Sequence, residues 1–217
     1  MLSLPLTRPA RPLRLLCVGA HSDDIEIGCG GLILSLLRRS SAVDVTWVVF
    51  SGSTTRQAEA KRAADLFLKR AHHKRIILHS FRDGFFPYDP GVKDAVEALK
   101  SVNPDVVLTH YRDDRHQDHR VLSDLAWNTF RDHLVLEYEI PKYDGDLGAP
   151  NFFVPLDRRA AERKIAHLAK AFGTQRGKHW FDDATFLGLM RLRGMECRAP
   201  DGLAEAFYAR KVVLDVD

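Results

Sequence analysis

At 217 residues, the chain is sized for one domain (1–217), with a core over about 13–133 and a C-terminal elaboration over about 134–217. Its 45% hydrophobic and 28% charged residues supply an ordinary soluble core. A net charge of +3 argues against a nucleic-acid partner, while leaving room for an anionic sugar phosphate or nucleotide sugar.

No apolar run reaches the ~18 residues of a membrane span, so no membrane association is expected. Pro5, Pro9 and Pro12 stand among arginines without a signal-peptide core. Cys17, Cys29 and Cys197 form no C-x-x-C, which points to reduced thiols and a cytoplasmic location.

After the proline-rich lead, Leu13 to Gly19 reads as a buried strand. Gly28, Gly30 and Gly31 open a helix to about Arg39, with Leu32, Ile33, Leu36 and Leu37 on one side. Val43 to Phe50 is a second strand, and Arg56 to Arg70 a helix with Ala60, Ala63, Ala64, Phe67 and Leu68 at helical spacing. Arg75 to Leu78 is a third strand, and Val92 to Val102 a helix that Pro104 ends. Asp105 to Thr109 is a fourth strand, followed by a helix from His116 to about Phe130. This alternation predicts an α/β fold, a mostly parallel sheet flanked by helices. Beyond it, Leu134 to Ile140 alternates loosely, and Pro141 to Pro150 is a long loop near the site. Asp157 to Phe172 is an amphipathic helix, and Lys211 to Val216 reads as a late strand.

Two short motifs follow predicted strands, and ligand sites form at strand ends in such sheets. In the first, Ala20-His21-Ser22-Asp23-Asp24, one tight turn aims His21 and Asp24 at a common point while Asp23 projects elsewhere. Asp24 can then hold a metal and Asp23 accept a proton from its water. The glycines beyond do not spell G-x-G-x-x-G, so a dinucleotide fingerprint is not supported. In the second, His116-Gln117-Asp118-His119, the two histidines share a helical face, so one can ligate while the other meets a substrate carbonyl. Asp118, off that face, can orient an imidazole. His21, Asp24 and His119 make three ligands of mixed N/O type, which with an open position describe a catalytic zinc site. Either motif alone is common on ordinary surfaces, and Asp23, Asp24, Asp113 and Asp114 could merely cap helices.

Together the segments resemble the PIG-L/LmbE family of zinc-dependent N-deacetylases. Its first signature, Ala-His-Pro-Asp-Asp-Glu before a glycine-rich helix start, stands here as Ala20 to Asp24 followed by Ile25, Glu26 and the glycines. Its second, His-Pro-Asp-His, stands as His116 to His119. Thr55-Arg56 with Glu59, Arg82-Asp83-Gly84, and Asn103-Pro104-Asp105-Val106-Val107 resemble further family stretches, so the likeness covers about residues 14 to 125. It implies a Rossmann-like fold with the metal site at the C-terminal ends of the strands. It also implies one Zn2+ per chain, another divalent metal being compatible. His21, Asp24 and His119 carry over as ligands and Asp23 as general base. His116 carries over as the group that polarises the carbonyl or protonates the leaving amine, and Asp118 as the residue tuning an adjacent histidine. Ser22 and Gln117 replace family prolines, and Ile25 replaces the family Glu, with Glu26 one place on.

The resemblance implies removal of an N-acetyl group from an amino sugar or its conjugate, with release of acetate. Alternatives are a zinc amidase acting on a larger acyl or thiol conjugate, and a non-catalytic Rossmann-like protein that binds a sugar or nucleotide. The expected partner is thus a small molecule or saccharide carrying an N-acetyl group, and homo-oligomerisation stays open. Four further residues are expected to contact substrate. Arg56 sits at the same sheet end as the motifs, His110 ends the fourth strand, and Lys142 and Tyr143 lie in the polar segment 138–148. Trp47, Trp127 and Trp180 read as core.

Overall fold

The apolar run Leu13–Gly19 is β1, the strand about which the sheet is ordered. The computed structural model describes residues 11–40 and 42–214. After β1 come α1 (Asp24–Arg39), β2 (Val43–Val49), α2 (Thr54–Phe67), β3 (His73–Leu78), α3 (Pro90–Ala98) and β4 (Val106–His110). Then follow α4 (Gln117–Thr129), β5 (Leu134–Tyr138), β6 (Phe152–Leu156), α5 (Arg158–Ala171), α6 (Asp183–Glu196) and β7 (Leu203–Ala209). The sheet order is β3-β2-β1-β4-β5-β7-β6. The first five strands are parallel, and β7 runs antiparallel to both β5 and β6.

Chain order reverses between β1 and β4, each of which pairs with the other and with an outer neighbour. The loops leaving their C-terminal ends therefore diverge and leave a crevice, the usual ligand position in such sheets. Both motifs leave from these two strands. Helices cover both faces. One core packs Leu15, Trp47, Ile33 and Phe67 beneath α1, α2 and α5, and the other packs Leu16, Val48, Val96 and Leu122 beneath α3 and α4.

The helix opened by the glycines lies close to the sheet for a steric reason. A Cβ on Gly28 would stand 2.2 Å from the Tyr138 ring, and one on Gly31 would stand 2.5 Å from Leu156. The helix also breaks at Cys29 (φ −142°, ψ 15°). A break frees donors on its far side and acceptors on its near side, and burial requires both to be satisfied. A buried ion pair does this. Glu205 accepts from the Gly31 and Leu32 amides, both at 2.7 Å, while Lys164 donates to the Ile27 carbonyl at 2.5 Å and to Glu205 at 2.7 Å.

The late strand is β7, not Lys211 to Val216. Residues 211–214 carry no strand, and 215 and 216 lie outside the described residues, as does the proline-rich lead up to residue 10. The sequence reading also missed β6 and α6. Among the described residues no helix is long and apolar enough to cross a membrane.

Candidate metal centre and cleft

β1 ends at Gly19, and a tight turn delivers His21, Ser22 and Asp23 before α1 begins at Asp24. Asp23 occupies the N-cap position of α1 yet makes no capping bond. Its Oδ1 instead meets Arg56 Nη2 at 2.8 Å, and its Oδ2 is buried without a partner. The Asp24 carboxylate folds back to accept from the His21 amide at 2.6 Å. The capping alternative therefore does not describe either residue.

β4 ends at His110, and α4 starts at Gln117, so His119 lies in its first turn and faces back over the sheet. His21 Nδ1 stands 3.1 Å from His119 Nε2, and Asp24 Oδ2 stands 3.4 Å from the former and 3.5 Å from the latter. Ligand atoms on a tetrahedral zinc with bonds of about 2.0–2.1 Å lie about 3.3–3.4 Å apart. The donors and their spacing fit a zinc ion bound by three protein groups. His116 also lies near His21 and His119 and makes a second donor cluster with them. In that cluster, however, His116 Nδ1 already accepts from the Asp118 amide at 3.3 Å.

Each histidine of the triangle is held at its other nitrogen by carboxylates, as metal-bound imidazoles commonly are. His119 Nδ1 is 2.9 Å from Asp114 Oδ2. His21 Nε2 is 3.1 Å from Asp83 and 3.6 Å from Asp118. Asp118 thus serves His21 across the cleft rather than its sequence neighbours, and its two oxygens accept from the Gly84 and Phe86 amides.

The electrostatics follow from burial among opposed charges. Burial works against the charge on Asp24, but His119, His110 and His21 outweigh it and hold the carboxyl well below its ordinary value. Burial raises Asp23 above its ordinary value despite the opposing Arg56 guanidinium. Burial and His110 push His119 down to about 4, so it is a neutral imidazole ready to ligate. Burial and the neighbouring His21 lower His116 as well.

These groups lie in a cleft of about 620 Å³. Arg56, His116, Lys142, Tyr143, Lys178 and Trp180 are among its walls. Arg56 is largely committed, since it also bonds Glu59 at 2.8 Å and Thr174 at 3.2 Å. Lys142 borders the cleft but sits between Asp114, at 3.0 Å, and Asp146, so it reaches the carboxylate that holds His119. The loop that carries it is pinned where Asp146 accepts from the Arg115 amide and Arg193 bonds Glu139 and the Gly148 carbonyl. Tyr143 is open to solvent.

His110 departs from its expected place. It is fully buried behind the centre, 2.9 Å from the Ala20 amide and 3.3 Å from Asp24, with its ring stacked on His119 at 3.9 Å. It backs His119 and Asp24 from below and does not line the cleft. Trp180, read as core, is a cleft wall. Asp114 was read only as a cap. The N-cap of α4 is His116; Asp114 instead accepts from the His116 amide at 2.8 Å and holds His119 Nδ1. Its place five residues before His119 was the available signal.

The departures from the family pattern have local consequences. Gln117 donates to the Gly84 carbonyl and fastens the start of α4 to the Asp83-Gly84 turn. Glu26 is wholly buried with both carboxyl oxygens unpartnered, and burial raises it well above its ordinary value.

The model of the PIG-L family, GlcNAc-PI de-N-acetylase, matches residues 16–130, which hold both motifs. The chain belongs to this family. With that membership comes the enzyme class, a metal-dependent N-deacetylase. Among solved structures, the PIG-L fold seen here is similar to the conserved protein TT1542 from Thermus thermophilus, with TM-score 0.74, 21% identity, and coverage of 94% of this chain and 97% of that one. It is similar to N,N'-diacetylchitobiose deacetylase from Pyrococcus horikoshii, with TM-score 0.68, 20% identity, and coverage of 90% and 83%. It is also similar to GalB, the 4-carboxy-2-hydroxymuconate hydratase of Pseudomonas putida, with TM-score 0.73, 16% identity, and coverage of 94% and 99%. Likeness at this identity establishes the fold alone, and a hydratase shares it. The deacetylase assignment rests on the family match.

Proposed function

We propose that the chain is a zinc-dependent hydrolase that removes the N-acetyl group from an N-acetylated amino sugar or its conjugate and releases acetate. The observation that carries the reading is the triangle of His21, Asp24 and His119 at the base of an open cleft, beside a buried carboxylate oxygen of Asp23 that has no partner. When bound, zinc supplies Lewis acidity and a water of pKa about 7.

The chain's own groups supply the rest. Arg56 holds Asp23 through Oδ1 and leaves Oδ2 to take the proton from the attacking water. His116 accepts at Nδ1 from the Asp118 amide, so its neutral ring carries the proton on Nε2 and can donate to the acetamide oxygen as negative charge builds there. Asp23 then returns its proton to the departing nitrogen, and the free amine and acetate leave. Asp114 and Asp118 keep the two ligand imidazoles in one orientation throughout. Tyr143, Lys178 and Trp180 line the outer cleft, where the part of the substrate beyond the acetamide would lie.

Incubating zinc-loaded protein with a panel of N-acetylglucosamine conjugates tests the reading, with free amine and acetate followed by mass spectrometry. Loss of one acetyl in the loaded protein, and none after chelation, is expected. No acetate from any member, or equal release after chelation, contradicts it.

A further inference from the structure

The sequence of α6 does not look like that of a surface helix. Its inner face is apolar as required. Phe186 and Met190 are buried, and Gly194 touches the turn before β7 so closely that a Cβ there would meet the Gly202 carbonyl at 2.2 Å. The opposite face is apolar too. Ala184, Leu187, Gly188, Leu192 and Met195 recur at helical spacing over three turns, and all are exposed. Leu187, Leu192 and Met195 are 45%, 53% and 64% exposed. The neighbouring α5 shows the ordinary pattern, with Arg158, Arg159, Glu162 and Lys170 outward. Arg191 is the one charged residue within this stripe, and an exposed apolar stripe opposite a buried face is normally covered.

We propose that this face binds the same face of a second copy of the chain, with the two α6 helices antiparallel about a two-fold axis. The stripe is self-complementary in that arrangement. An axis between Leu189 and Met190 sets Leu187 opposite Leu192 of the second copy and Ala184 opposite Met195, small against large. It also sets Gly188 opposite the stem of Arg191, whose guanidinium donates to the Gly202 carbonyl of its own chain at 3.0 Å. A Cβ on Gly188 would meet nothing within 4 Å in the single chain, so the gap leaves room for that aliphatic stem.

Charge selects the same orientation. Asp182 and Asp183 stand exposed at the N-terminal end of α6, and Arg198 stands exposed just past its C-terminal end. Among the described residues none of the three makes an ion pair within the chain. Antiparallel pairing brings Arg198 of each copy to the acidic end of the other, with the nearby Glu196 neutralised by its own Arg193, and opposes the two helix dipoles favourably. A contact centred on one 14-residue helix lies at the small end of specific interfaces, so association at micromolar concentration is expected. This inference is independent of the deacetylase reading.

Sedimentation velocity over a concentration series tests it. The wild-type chain should shift from monomer to dimer as concentration rises. The double variant Leu187→Glu, Leu192→Glu should weaken the dimer by about tenfold or more, with its circular dichroism unchanged. Should that variant fold poorly, Gly188→Gln fills the gap with a side chain the monomer can accommodate, and the same loss is expected. Arg198→Glu should weaken association, and adding Asp183→Arg should restore it. A wild-type chain that stays monomeric, a dimer that survives Gly188→Gln, or a charge reversal that the second reversal does not repair would overturn the proposal.

Discussion

Replacing Lys164 with Met should destabilise the protein far more than a lysine usually matters. The Lys164 and Glu205 side chains are 3% and 4% exposed, so neither charge has water to fall back on. Methionine keeps most of the apolar stem, which isolates the effect of the ammonium. Its loss leaves Glu205 charged and buried with only the Gly31 and Leu32 amides, and leaves the Ile27 carbonyl without its donor. Breaking one side of a buried pair costs about 3–5 kcal/mol. For a chain of this size that is a fall in Tm of roughly 6–20 °C, at about 2–4 °C per kcal/mol. Urea unfolding of metal-free protein, followed by circular dichroism, gives the free energy without interference from zinc. Adding Glu205→Gln should recover at least half the loss, because no buried charge remains, and its one oxygen can still accept from one of the two break amides. A loss below about 1 kcal/mol would refute the reasoning, since a buried unpaired carboxylate cannot be that cheap. A double variant no better than the single one would place the cost in packing rather than charge.

Asp23→Asn should keep zinc, measured by metal analysis, and lower kcat by about 10²–10⁴, because an amide cannot take the water's proton; near-normal turnover would assign the base elsewhere. Asp114→Asn should weaken zinc binding about 10–100-fold in a chelator competition, through the freed His119 ring. Unchanged affinity would mean the imidazole needs no such support. Glu59, held by Thr174 and Arg56, has its pKa lowered below the ordinary 4.5 although burial opposes this. Its contribution to stability is therefore full above about pH 4.5 and is lost as pH falls through the lowered folded value. Glu59→Gln should flatten that part of the stability–pH curve, and a slope unchanged by the substitution would place the titration on another group.

That His21, Asp24 and His119 would come together was legible because both motifs follow strands, the first directly and the second after a short loop, and the ends of neighbouring parallel strands lie together. The groups that hold the triangle were not. Asp118 was read against its neighbours in sequence, yet it meets His21 from the other motif. Lys142 was read as a substrate contact, and its partner Asp114 could be found only once the loop was seen against the segment that leads into α4. His110 gave no sign that the strand end carrying it lies beneath the site rather than beside it. In the C-terminal part, the strand Phe152–Leu156 carries Pro155, a residue that sequence patterns rarely allow in a strand, and it stands because β6 is an edge strand, where a missing amide donor is tolerated. Lys211 to Val216 has stronger β-formers than Leu203–Ala209, and pairing with β5 and β6 decided between them. α6 escaped notice because apolar residues on two faces erase the periodicity by which a surface helix is recognised.

The most direct test of the account is an anomalous diffraction map at the zinc edge from crystals of the zinc-loaded protein. One peak per chain is predicted, about 2.0–2.2 Å from His21 Nδ1, from His119 Nε2 and from an Asp24 carboxylate oxygen, with Asp23 and His116 outside the coordination shell. A peak bound by His116 in place of Asp24, or no peak at this sheet end, would contradict it.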